Sequence, residues 1–147
     1  MKKYKFPQLK VKVTATKGDE FFIKNSDDIV QVLRNVFNAD TIQWTEEFII
    51  VCLNRAHKVI GTCKVGLGGF TGVVCDPKVI MTIALQSSAT SLILAHNHPS
   101  GNLKPSDADR KMTDKIKQAC NLLDINLLDH IILTDESYYS FAEREGI

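Results

Sequence analysis

Two histidines stand two residues apart in Ala95-His96-Asn97-His98-Pro99-Ser100-Gly101, and an aspartate, Asp109, follows beyond the Pro-Ser-Gly turn. The apolar run Leu92-Ile93-Leu94-Ala95 leads into the first histidine and reads as a strand. Alternation along a strand then aims His96 and His98 at the same face. The segment that leaves the loop reads as a helix with Asp109 in its first turn, where the chain has folded back toward the strand tip. Two imidazoles and a carboxylate leave one position of a tetrahedral ion open for water, the pattern of a catalytic metal centre. The expectation is one zinc ion held by His96, His98 and Asp109.

Hydrolysis at such a centre also needs a proton acceptor. Zinc brings the pKa of its water toward about 7, and a carboxylate on a neighbouring element can take that proton and pass it on. Glu46 and Glu47, which open the apolar run Phe48-Ile49-Ile50-Val51-Cys52-Leu53, are the candidates, and spacing does not choose between them. Ser106 and Asp109 have a local task as well. A serine N-cap with an acidic residue three positions on is close to a capping box.

These residues need a scaffold, and the composition is that of an ordinary globular chain. The 147 residues fit one domain, 1–147, with 44% hydrophobic and 24% charged residues and a formal net charge of +1. No apolar stretch is long enough to span a bilayer. The basic start, Met1 to Pro7, is not followed by an apolar segment, so no signal peptide is expected. Four cysteines, Cys52, Cys63, Cys75 and Cys120, form no Cys-x-x-Cys pair, and Cys52 and Cys120 fall in apolar patterns. Buried thiols in a reducing cytoplasm suit this usage.

In chain order, Leu9 to Val13 alternates apolar and basic residues and is expected to form an exposed or edge strand, in an arm with five lysines in its first twelve residues. Such an arm reads as solvated edge protection ahead of phosphate binding. Ser26 is expected to cap a helix with its apolar stripe at Ile29, Val30, Leu33, Val36 and Phe37, ending near residues 38–40. Residues 45–53 and 59–65 read as a hairpin, with His57 in the turn. Gly66 to Gly69 lacks phosphate-loop spacing and suits a bulge or flexible backbone. Asp76-Pro77 starts a second helix that fades at residues 86–88. A strand follows from Ser91 to Ala95, then a helix with Ala108, Met112, Ile116, Ala119, Cys120 and Leu123 on one face. Residues 125–133 form a further strand interrupted by Asp129 and His130, and a turn leads into residues 138–141. The pattern predicts an α/β three-layer sandwich, a mixed β-sheet flanked by helices.

His96-Asn97-His98-Pro99-Ser100-Gly101 followed by Pro105-Ser106-Asp107-Ala108-Asp109 resembles the JAMM (MPN+) metalloprotease signature, and its wording is similar to that of the RadC branch. The resemblance extends through Glu46-Glu47-Phe48 to Asn54, Asp76-Pro77, Ala89 to Ala95 and Leu127-Leu128-Asp129-His130, roughly residues 45–147; residues 1–44 match less clearly. It implies a curved, cytidine deaminase-like mixed sheet, with His96, His98 and Asp109 as ligands of a single zinc ion. It selects Glu46, with Glu47 as fallback, as the base and gives Ser106 the oxyanion. His130 matches a RadC-type position and receives no role as a ligand. The implied activity is a metal-activated water attacking a peptide or isopeptide-like amide, with a peptide or protein as substrate. Two rivals are a DNA-associated accessory protein of RadC type and an inactive metal-binding interaction domain. Near-neutral charge and the absence of the helical region of full-length RadC proteins count against the first. The missing Cys-x-x-Cys counts against a deaminase.

Overall fold

A computed structural model describes Lys3 and residues 5–10, 12–68 and 75–147. The elements in order are α1 (Ser26–Val36), β1 (Glu47–Leu53), β2 (Val59–Leu67), α2 (Pro77–Gln86), β3 (Ser91–Asn97), α3 (Asp107–Leu122), β4 (Asn126–Leu133), β5 (Tyr138–Ser140) and α4 (Phe141–Glu145). The strands form one sheet in the order β2-β1-β3-β4-β5. Among the described residues β3 and β4 run parallel, joined through α3, and the other neighbours are antiparallel.

Burial on both faces explains the apolar runs. Every residue of β1 and β3 is buried, as expected of central strands covered by helices. Ile49, Val51 and Leu53 of β1, with Ile93, Ala95, Ile131 and Leu133, pack under Ile29 and Leu33 of α1. Phe48, Ile50 and Cys52, with Leu92 and Leu94, pack under Ile80 and Ala84 of α2 and Ile116 and Cys120 of α3. The sheet is therefore the middle of three layers, an α/β sandwich.

Two irregularities in the ladders matter for the site. Phe48 pairs with Gly66 but Ile49 with Lys64, so Val65 is an extra residue, a bulge at the glycine-rich end of β2. Leu92 pairs with Leu127 but Ile93 with Asp129, so Leu128 is extra on β4. That single insertion reverses the alternation beyond it. His130 then lies opposite Leu94, on the α3 face with His96; without it Asp129 would hold that place.

Several expectations are corrected. Asn25, not Ser26, caps α1: its backbone is extended and its side-chain oxygen accepts the Asp28 N–H at 3.0 Å. The helix stops at Val36 because Phe37 turns extended and sinks into the core. Lys10, Lys12 and Val13 are exposed and outside any strand. The extended partner of the β1–β2 turn is instead residues 21–23, where Phe22 bridges Lys58 and the Val59 N–H donates to the Phe21 carbonyl at 2.8 Å. Val11 of the expected strand, Gly69 of the glycine run and Met1, Lys2 and Tyr4 of the arm lie outside the described residues. On α3, Ala108 is exposed and Thr113 is buried, and Leu123, which caps its C-terminus, is exposed. Asp129 and His130 do not interrupt β4 but continue it, both buried. Phe141 leaves the last strand and begins α4, capped by the Ser140 hydroxyl.

Candidate metal centre

The carboxyl ends of the parallel pair β3 and β4 meet the first turn of α3, the place where open α/β sheets receive ligands. His96 is on β3 and fully buried; His98 lies just past the strand end and is partly buried. The His98 N–H donates to the Leu133 carbonyl at 2.9 Å, continuing the ladder by one step and holding the loop against β4. Gly101 turns the chain with φ +78, a conformation that suits glycine.

The Nε2 atoms of His96 and His98 are 3.0 Å apart. Asp109 Oδ1 lies 3.2 Å from His96 Nε2, and Asp109 Oδ2 lies 3.5 Å from His98 Nε2. Ligand atoms about 2.0–2.1 Å from a tetrahedral ion stand about 3.3 Å from one another. The three contacts fall near that spacing, with Asp109 meeting each imidazole through a different oxygen. His98 Nδ1 donates to the Asn102 carbonyl at 2.5 Å; a carbonyl only accepts, so that nitrogen carries the hydrogen and the lone pair of the neutral ring sits on Nε2. Nitrogen lone pairs and a carboxylate at these separations repel one another unless a proton or a metal ion sits among them. The residues present therefore fit a metal ion.

Glu46, immediately before β1, joins this group: Glu46, His96 and His98 each bring one ligand atom within 4.8 Å of the others. The two histidines thus belong to two overlapping triads, one completed by Asp109 and one by Glu46. Asp109 is in contact with both imidazoles. Partial burial and the nearby Asp109 charge raise the Glu46 carboxyl, opposed by His96 and His98. Burial acts on Asp109 in the same sense, but the adjoining His96 and His98 rings and the Ser106 N–H hold it well below the usual carboxylate range.

Glu47 points elsewhere. It is buried, and its carboxylate pairs with Lys64 of β2 at 2.8 Å. Glu46 is held by its backbone: its carbonyl accepts the Gly68 N–H at 2.7 Å, and Asn97 accepts the following N–H, that of Glu47, at 2.7 Å.

Ser106 caps α3 in a reciprocal capping box. Its hydroxyl accepts the Asp109 N–H at 3.1 Å, and its own N–H donates to Asp109 Oδ2 at 2.7 Å. Ser106 is exposed, and the hydrogen of its hydroxyl is unspent by that bond.

A set of residues given no role from the sequence, His130 among them, stands behind His96. Phe48, opposite His96 in the ladder, stacks on its ring with a 5.7 Å centroid separation and 2° between planes. His130 Nε2 is 2.9 Å from His96 Nδ1, and His130 Nδ1 is 2.6 Å from the Thr113 hydroxyl. Phe141 stacks on the far side of His130 at 4.8 Å. Burial, then the neighbouring His96, push the His130 pKa well below the ordinary value. The signal for Thr113 is faint: a polar residue one helical turn after Asp109, between Met112 and Ile116 of the apolar stripe.

A shallow cleft of about 270 Å³ adjoins the cluster, bordered by His98, Ser100, Gly101, Gln43 and Asp135. Among the described residues no helix is long and apolar enough to cross a membrane.

A family model described as RadC-like JAB domain matches residues 23–147. A UPF0758 protein of Flavobacterium johnsoniae is 47% identical over 102 residues, which are 69% of this chain and 44% of that protein. The chain spans less than half the length of that curated relative.

Proposed function

Since the chain belongs to the RadC-like JAB domain family, we propose that His96, His98 and Asp109 hold one zinc ion and that the protein is a zinc-dependent hydrolase of JAMM type. The reading rests on one observation: two imidazole nitrogens 3.0 Å apart share a carboxylate at 3.2 and 3.5 Å, with Glu46 beside them. A bound zinc ion supplies Lewis acidity, lowering the pKa of water toward about 7 and polarising a carbonyl.

The remaining chemistry belongs to the side chains. Glu46 accepts the proton of the attacking water and returns it to the leaving amine. Its raised pKa brings its basicity closer to the working range of a general base. The exposed Ser106 hydroxyl donates to the oxygen that gains charge as the amide carbonyl is attacked. The cleft beside His98 is open to solvent, so the substrate is a chain that lies across the site, a peptide or an isopeptide-linked side chain, in keeping with a cleft of only about 270 Å³.

The test combines metal analysis with turnover of a panel of peptide and isopeptide amides. Purified protein carries one equivalent of zinc, His98→Ala loses it, and Glu46→Ala keeps it while turnover falls by at least about 100-fold. Stoichiometric zinc with full turnover in Glu46→Ala removes Glu46 from the mechanism. Failure of the unmodified chain to bind zinc removes the reading itself.

A further inference from the structure

We infer that Thr113 and His130 are positioning residues that fix which nitrogen of His96 carries its hydrogen, so that the Nε2 lone pair faces the centre. The inference rests on His96 as a zinc ligand, the reading above, and extends it to residues on two other elements.

The derivation counts hydrogens. The Thr113 hydroxyl lies 2.7 Å from the Asp109 carbonyl, one helical turn back. A carbonyl oxygen has no hydrogen to give, so the single hydroxyl hydrogen goes to it. Toward His130 Nδ1, 2.6 Å away, the same oxygen can then only accept. His130 Nδ1 therefore carries a hydrogen. Both ring nitrogens of His130 face partners that carry no negative charge, the Thr113 hydroxyl and the His96 ring, and the ring is wholly buried between Phe48 and Phe141. A charged imidazolium there would have no counter-charge on either nitrogen. His130 Nε2 is accordingly an acceptor, and His96 Nδ1, at 2.9 Å, donates to it. In the neutral ring that leaves His96 Nε2 as the lone-pair nitrogen, 3.2 Å from Asp109 Oδ1 and 3.0 Å from His98 Nε2.

The relay starts and ends at the ligand set. It begins on the main chain of Asp109, passes through α3 and β4, and returns to His96 on β3. Asp109 and His96 are thereby tied together through their backs as well as at the centre. The Leu128 bulge is what brings His130 to the α3 face to close the circuit. His98 reaches the same state by a shorter route, its Nδ1 hydrogen given to the Asn102 carbonyl. Partners on the far nitrogen of a metal-bound histidine typically change metal affinity by about 10- to 100-fold.

The experiment uses the full chain, Thr113→Val, Thr113→Ser and zinc alone as ligand. Long-range ¹H–¹⁵N correlation spectra of the metal-free protein report the tautomer of His96 and His130. Competition with a chromophoric chelator reports the zinc dissociation constant, and urea unfolding of the metal-free proteins reports the fold. The expected result is hydrogen on Nδ1 of both rings in the unmodified chain. Thr113→Val then mixes the His96 tautomers and weakens zinc binding by about 10-fold or more, while Thr113→Ser restores both. Hydrogen on His96 Nε2 in the unmodified metal-free chain overturns the inference, even where the valine variant fails to fold. Unchanged zinc affinity and His96 tautomer in a folded Thr113→Val also overturn it. An unmodified chain that shows the tautomer pattern but binds no zinc leaves the relay standing and removes the metal reading.

Discussion

The carboxamide of Asn97 bonds to three points of the chain that leads into Glu47: its oxygen accepts the Glu47 N–H at 2.7 Å, and its nitrogen donates to the carbonyls of Ile42 and Thr45 at 2.7 and 2.8 Å. Asn97 lies between His96 and His98 and is wholly buried. The residue between the two histidines therefore places Glu46, one position before Glu47, relative to both.

Removing that latch leaves buried backbone groups unpaired. Asn97→Ala is expected to lower unfolding free energy by about 3 kcal/mol or more. Asn97→Asp preserves shape and the bond to Glu47 but presents an oxygen to the two carbonyls. It is expected to destabilise at least as much as alanine at neutral pH. Urea unfolding of the two variants, with hydrogen exchange at the Glu47 amide, checks this; an aspartate variant as stable as the unmodified chain contradicts the bonding pattern.

Asp109 and Ser106 each serve α3 and lie at the cluster, and the two tasks separate by substitution. Asp109→Asn retains an oxygen to accept the Ser106 N–H, so the metal-free variant should keep the capping bond of α3. It loses the anionic ligand. Zinc at 100 times its dissociation constant should stabilise the unmodified chain by about 2.7 kcal/mol, and Asp109→Asn by far less. Ser106→Ala should do the reverse, costing about 1 kcal/mol without metal and keeping the zinc shift. Thermal unfolding with and without zinc measures both.

The elements were legible where one physical cause dominated. Continuous apolar runs marked β1 and β3 as covered on both faces, and Asp76-Pro77 marked the start of α2 because cap and proline agree. His96 and His98 could be read as a same-face pair from alternation alone. What positions them could not. Asn97 bonds to residues fifty or more positions away, and the partner of His96 depends on an extra residue at Leu128 that flips the alternation of β4. A parity reading without that bulge puts Asp129 where His130 stands. The N-terminal alternation misled for the opposite reason: period two describes a strand only where a partner edge exists, and residues 21–23 pair with the β1–β2 turn instead.

Cysteine chemistry offers a separate check on the core. Burial pushes the Cys75 and Cys120 thiols up to about 11 and raises Cys52 as well. At pH 8 all three stay protonated and covered, and only the thiolate is nucleophilic. Cys63, on the edge strand β2, is the partly exposed one of the four. A disulfide reagent at pH 8 should therefore modify one cysteine quickly in the native protein and all four in denaturant. Mass spectrometry of the fast product should place the label on Cys63.

Asp129 ties the C-terminal segment to β4 and, through it, supports the ring that backs His96. Its Oδ1 accepts the N–H groups of His130 and Ala142 at 2.7 and 3.0 Å, and its Oδ2 accepts the Ser140 hydroxyl at 2.6 Å. Those bonds begin α4 at the place that sets Phe141 against His130. Burial raises the carboxyl above 3.8, opposed by the bonds from Ser140, Ala142 and His130. An acid raised on folding binds its proton more tightly in the native state, so its titration favours the fold below the unfolded pKa, and that contribution is lost as pH rises through the native value. Asp129→Asn has no such titration. Its oxygen can serve both amides, and its amide hydrogens can face a Ser140 hydroxyl turned to accept. Relative to the unmodified chain, Asp129→Asn should therefore gain stability as pH is raised from about 3 to 7 and lie within about 1 kcal/mol at pH 7. Asp129→Ala strands two amides and a hydroxyl and should cost about 3 kcal/mol or more at either pH. Urea unfolding of the three proteins at both pH values decides it: a difference between asparagine and aspartate that moves the other way with pH would show that the native carboxyl is not raised.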